Sequence, residues 1–177
     1  RHSGSAGALN LQGLQLACVL NAPKDELQTR LESILTELPS ASKRFSINDP
    51  LNKLKTILAN DGCNGFLNRD MLVKITKTAL STDSINRIAM ERSNMHYFLS
   101  TLYLDARDLG QTMHHLELAM QAVPQLQTMQ IMVNVLLSAG LKQEALELMD
   151  DYTPNWPKNP WLRKKQQLHW QQLREQL

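Results

Sequence analysis

The chain has 177 residues, 42% hydrophobic and 20% charged, with three Trp, three Tyr and three Phe. That length suits one domain or two small lobes sharing a core, with about 70% of the unfolded surface buried, which excludes disorder. Nineteen Lys and Arg against seventeen Asp and Glu leave a net charge of +2, too weak a field for phosphate neutralisation to dominate binding, so no nucleic-acid partner is expected. Seven Gly and seven Pro are too few for an all-β chain, whereas the abundant Leu, Gln, Met, Ala and Lys favour helix; the expected class is all-α.

Residues 1–8 read as a flexible small-residue leader. With no initiating Met and no apolar h-region there is no signal peptide, and the chain reads as a piece of something longer. Leu9 to Leu20 reads as a helix, broken by Asn21-Ala22-Pro23. Its apolar run from Leu14 is far too short to span a membrane and is interrupted by Gln15. Lys24 to Leu38 follows, with Leu27, Leu31, Ile34, Leu35 and Leu38 on one stripe, acids Asp25 and Glu26 in the first turn, and Pro39 just beyond. Residues 39–49 are polar and connecting. Asp49-Pro50 offers a cap and a first-position proline for a short helix with Leu51, Leu54, Ile57 and Leu58 inward and Gly62 as its stop. Asn68 caps the next helix, with Met71, Leu72, Ile75 and Leu80 as its apolar positions. Ser81-Thr82-Asp83-Ser84 is a start cluster for a helix from Ile85 to about Leu104.

From Ser93 the pattern repeats. Met95, Phe98, Leu99, Leu102 and Tyr103 follow the i, i+3, i+4, i+7, i+8 spacing of one helical face, and Met129, Met132, Val133, Leu136 and Leu137 repeat it 34 residues later. Thr112, Leu116, Ala119 and Pro124 correspond to Ala145, Met149, Tyr152 and Pro157 at an offset of 33. A period of this length marks stacked helix-turn-helix units that bury their open faces against one another. Asn159-Pro160 starts a final helix to Leu177, with Leu162, Trp170, Leu173 and Leu177 on its inner stripe. Trp161 and Leu168 project elsewhere and are expected to fold against the 153–158 turn beside Trp156, the alternative being exposure to a partner.

These residues resemble the tetratricopeptide repeat family. The first unit reads Leu99, Ser100 and Tyr103, then Asp108 in the turn, Leu116, Ala119 and Pro124; it departs at Arg107, where Gly is usual, and at Thr112, where Ala is usual. The second reads Met129, Met132, Val133 and Leu136, then Gly140, Ala145, Met149 and Pro157, departing at Tyr152. The resemblance implies a right-handed α-α superhelix of antiparallel helix pairs, divided into a divergent hairpin region at 9–92, two repeats at 93–158 and a capping helix at 159–177. It also implies a helix-lined groove holding a protein or peptide partner, with Asn94, Tyr97, Thr101 and Asp105 on the first helix and Thr128, Gln130, Asn134 and Ser138 on the second as solvent-side positions.

The whole arrangement, including Asn94-Met95-His96-Tyr97-Phe98-Leu99 before Asp105-Ala106-Arg107-Asp108, is also similar to the C-terminal extramembrane regions of bacterial O-antigen polymerases and protein O-oligosaccharyltransferases. No catalytic motif carries over from that group. This resemblance implies the periplasmic face of the inner membrane, with a tether to a membrane domain upstream and no insertion by this chain; otherwise the compartment is cytoplasmic.

Motifs for chemistry are missing: there is no GxSxG, P-loop, GxGxxG or HExxH, and neither cysteine belongs to a CxxC pair, so no cofactor or metal is expected and the chain alone is read as non-catalytic. His114 and His115 are about 100° apart on a helix and read as surface. His96 and His169 read as packing residues with one satisfied nitrogen. Asp150-Asp151, Glu144 and Glu147 read as solvated, and the methionines as interior filler. Cys18 and Cys63 are read as two independent buried thiols, with a disulfide in an oxidising compartment as the alternative.

Overall fold

A computed structural model describes residues 6–41, 53–57, 62–81, 88–152 and 156–177. The described residues are helical with short connections and carry no strand, in keeping with the all-α composition. Helix α1 is Ala6–Val19 and α2 is Lys24–Ala41. A helical stretch at 53–57 and a single turn at Gly62–Gly65 lead to α3, Arg69–Leu80. Then come α4, Ala89–Asp105; α5, Leu109–Ala122; α6, Leu126–Ser138; α7, Lys142–Asp151; and α8, Pro160–Glu175. Helix α1 packs on α2, α2 on α3, α3 on α4, and from there each helix packs on the next as far as α7.

The caps follow their chemistry. Asn68 Oδ1 accepts from Met71 N–H at 2.9 Å, Asp108 Oδ1 from Gln111 N–H at 3.0 Å, and Asn159 Oδ1 from the N–H groups of Trp161 and Leu162 ahead of Pro160. Four boundaries differ from expectation. Helix α1 takes in Ala6–Ala8 of the expected leader, and α4 starts at Ala89 behind an extended Ile88 instead of at Ile85. Pro39 lies within the last turn of α2 instead of just beyond the helix, so its missing N–H removes one bond to the preceding turn. Gly62 opens a turn instead of ending a helix. The Asp49-Pro50 cap, Leu51, Leu58 and the start cluster at 82–84 lie outside the described residues.

One apolar core joins the first half to α4: Leu14 on α1, Leu31 on α2, Leu54 at 53–57, Leu72 on α3, and Met95 and Leu102 on α4 are almost wholly buried within it. It crosses residue 92, so the onset of the repeat pattern does not divide the core. A second cluster holds Met129, Val133, Ala145, Met149 and Leu173, and a third holds Leu116, Met132 and Val135. Four methionines, Met95, Met129, Met132 and Met149, are buried as expected, while Met90 is exposed.

The first half is also closed covalently. Cys18 and Cys63 form a disulfide with Cα atoms 4.7 Å apart, correcting the reading of two independent thiols. Leu14 and Ala17, on the same face of α1 as Cys18, share a core with Cys63, and this brings the two sulfurs together. Sequence spacing could not supply that proximity, because the partners are 45 residues apart.

The two turns at the 33-residue offset match in their backbone hydrogen bonds, though Asp108 caps the first with its side chain and Leu141 has none to offer. Asp108 N–H donates to Tyr103 O at 3.0 Å, as Leu141 N–H does to Leu136 O at 2.9 Å; Arg107 N–H donates to Leu104 O, as Gly140 N–H does to Leu137 O. Thr112 and Ala145 occupy the same point of the following helix, both fully buried. The turn needs a left-handed residue at its tip, and Arg107 at φ 61° and Gly140 at φ 79° fill it. An L side chain pays strain there that glycine avoids. Arg107→Gly is expected to raise stability by about 0.5–1 kcal/mol and Gly140→Ala to lower it by about 1 kcal/mol, read by urea unfolding. Equal effects of the same sign would remove the shared-turn account.

Candidate functional site

A cluster of rings fills the joint of α3, α4 and α5. His115 of α5 lies parallel to Tyr103 of α4, with centroids 5.4 Å apart and planes 12° apart, and edge to edge with His96 of α4, with centroids 5.3 Å and planes 23° apart. His114 tilts against His115 at 5.3 Å, and the Lys77 ammonium of α3 sits 5.6 Å from the Tyr103 centroid. His96 and His115 share a hydrogen bond between their Nδ1 atoms at 3.1 Å. One of these nitrogens must carry the proton and the other the lone pair, so the neutral pair holds a single proton on the line between them. His115 Nε2 is buried without a hydrogen-bond partner.

The electrostatics oppose charge at this joint. Burial lowers the His115 pKa from the usual imidazole value to about 4, helped by His96, His114 and Lys77. Burial, then His114 and Arg92, also lowers His96. The pair is therefore neutral at pH 7. Among the described residues no group of three or more of His, Cys, Asp and Glu is placed to hold a metal ion.

The structure corrects two histidine readings, His115 and His169, and bears out two, His114 and His96. His115 is only 5% exposed, contrary to its surface reading, while His114 is exposed. The signal was present in the sequence: Thr112, His115, Leu116 and Ala119 occupy i, i+3, i+4 and i+7 of one face. His169 is exposed on α8 and packs into no core, whereas His96 has the bonded nitrogen expected of it.

The eight groove positions do not share one environment. Thr128, expected on the solvent side, is 2% exposed and buried. Tyr97 is half-buried against the Leu116, Met132 and Val135 cluster. Thr101 and Asp105 are engaged by an earlier part of the chain, because Lys55 Nζ donates to Thr101 Oγ1 at 3.0 Å and pairs with Asp105 at 2.9 Å. Asn94 and Gln130 are half-buried, and Asn134 and Ser138 are exposed. The accessible polar surface thus lies mainly on α6. The periodicity of α4 alone could not reveal that 53–57 lies against it.

A polar junction fixes α6 beside α4 and α5. Ser93 Oγ donates to Ala119 O at 2.9 Å, and Gln125 Nε2 at the start of α6 donates to Ser93 Oγ at 3.2 Å. Both bonds satisfy a buried hydroxyl that an apolar interface would leave costly. Neither Ser93 nor Gln125 stood out in the sequence.

The chain matches no protein-family model, no curated protein and no solved structure.

Proposed function

We propose that this chain is a helical-repeat docking module of tetratricopeptide type that holds a segment of a partner protein and performs no chemistry by itself. The observation that carries this reading is the pair of matched turns, each bringing two helices together with a small or compact residue buried at the same point. Units of that kind cover one face of each helix with a neighbour and leave another open, which is how stacked helix pairs generate an elongated binding surface. The polar side chains left accessible, Gln130, Asn134 and Ser138 on α6 with Asn94 on α4, offer amide and hydroxyl groups that hydrogen-bond a peptide backbone without requiring charge.

The test is crosslinking of the purified chain in extracts of its source, followed by identification of the captured protein and titration with its minimal segment. Gln130→Ala with Asn134→Ala is expected to weaken binding about tenfold while the far-ultraviolet circular dichroism stays unchanged. Undiminished binding by the folded double variant would move the site away from α6.

A second reading is favoured by the Cys18–Cys63 disulfide. Stable disulfides belong chiefly to oxidising compartments, so the bond supports an extracytoplasmic location. That is the compartment in which the C-terminal region of a membrane glycan polymerase or protein O-oligosaccharyltransferase would stand, acting as a non-catalytic arm of the membrane part. The coding sequence upstream of Arg1 discriminates the two readings. Roughly ten apolar spans preceding it would establish the second. A soluble protein starting close upstream would end it.

A further inference from the structure

Helix α8 carries an outer strip that the docking surface on α6 does not use. Its inner side is packed: Leu173 is buried against Met149 and Met129, and Trp170 tilts onto Tyr152 at 5.7 Å. Trp161 is 71% exposed and Leu168 56%, which corrects the expectation that they fold against the neighbouring turn. At about 100° per residue, Trp161, Lys165 and Leu168 fall within an arc of about 60°, with Lys164 alongside. Lys165 Nζ lies 5.5 Å from the Trp161 centroid.

Charge identifies the occupant. Between Tyr152 and Arg174 the chain has Lys158, Arg163, Lys164, Lys165 and Arg174 and no acidic residue, so this stretch carries +5 while the whole chain carries +2. Arg174 is engaged with Asp150 on the inner side and Arg163 donates to Pro157 O, leaving Lys158, Lys164 and Lys165 toward the start of the helix, where the backbone dipole adds positive potential. An exposed indole and a leucine set among lysines form an interfacial pattern: the rings and aliphatic stems enter the headgroup layer while the ammonium groups meet anionic phosphates. The strip is a convex ridge on one helix. A bilayer surface can receive such a ridge, and the lysines around the indole and leucine select an anionic one.

We infer that the Trp161, Lys164, Lys165 and Leu168 strip of α8 is a docking surface for an anionic lipid bilayer, on which the domain rests without inserting a span. No helix among the described residues is long and apolar enough to cross a membrane, so the contact is peripheral.

The test is flotation of the 177-residue chain with vesicles of phosphatidylcholine alone or with roughly 30% phosphatidylglycerol, at low and high salt. Binding to the anionic vesicles alone is expected, lost at high salt and accompanied by a blue shift of tryptophan emission. Lys164→Gln and Lys165→Gln should each weaken it about fivefold and Trp161→Ala about tenfold, while Lys142→Gln on α7 leaves it unchanged. Circular dichroism confirms that each variant is folded. Equal binding to neutral vesicles, no binding at all, or full binding by the folded variants would overturn the inference. So would self-association that Trp161→Ala abolishes in the absence of lipid, which would assign the strip to a second copy, or retention of poly-glutamate without vesicle binding, which would assign it to an acidic protein.

Discussion

Reducing the Cys18–Cys63 bond, or replacing both cysteines with serine, is expected to remove about 4 kcal/mol of stability, because the bond closes a loop of 45 residues that the unfolded chain would otherwise explore freely. A loss of that size takes a large share of the 5–15 kcal/mol typical of a folded domain. The bond ties the end of α1 to the turn before α3, and the loop it closes includes α2 and the 53–57 stretch. Its loss should fall first on that half. Urea unfolding with and without reductant measures the total, and amide hydrogen exchange locates it: faster exchange in α1 and α2 than in α6 and α7 is expected. A change below about 1 kcal/mol would show that the core around Leu14, Leu31 and Leu54 holds the same geometry in the unfolded ensemble without the bond.

Acid should loosen the joint between α4 and α5. The His115 imidazole is neutral in the folded chain down to about pH 4, whereas in the unfolded chain it takes up a proton near pH 6.5. Between these values the unfolded state binds the extra proton, so stability is complete above about pH 6.5, falls as the pH drops toward 4, and is not restored below. The expected loss between pH 7.5 and pH 5 is about 2 kcal/mol from this group alone, before carboxylate titration contributes. His96 adds to it in the same direction, because its pKa is also lowered. Urea midpoints measured across that range test the effect. His115→Phe keeps an aromatic ring between His96 and Tyr103 and should flatten the profile, whereas His114→Ala should leave most of it. A profile unchanged by His115→Phe would assign the acid sensitivity to other groups.

Much of the helical architecture was written in local pattern. The caps at Asn68 and Asn159 and the inward stripes of α4 and α6 depend on side chains close in sequence, so spacing alone reports them. The matched turns also answer to local sequence, and they show why Arg107 is tolerated where glycine is usual: the position asks for a left-handed backbone, with a cost smaller than the packing that the turn permits. Contacts between distant segments escaped the same reading. Lys55 against Thr101 and Asp105, the Cys18–Cys63 bond, and the partnership of His96 with His115 each join residues that no helical period relates. The candidate groove differs from its sequence pattern for that reason: the period of α4 reports its own outward face, while the 53–57 stretch that meets Thr101 and Asp105 is distant in sequence. Trp161 failed in the opposite sense. An apolar residue was assigned a neighbour, and the fold left it in solvent.

The identity of the two turns gives the chain a natural unit of length. Adding or removing a whole segment of 33 residues at such a turn would hand the next helix the same backbone donors, acceptors and left-handed tip that it has now. An insertion of one residue within a helix would instead rotate everything beyond it by about 100°, presenting buried methionines to water and amides to the core. A change of length at these turns therefore keeps the buried and exposed faces of the helices in place only in steps of the turn-to-turn spacing.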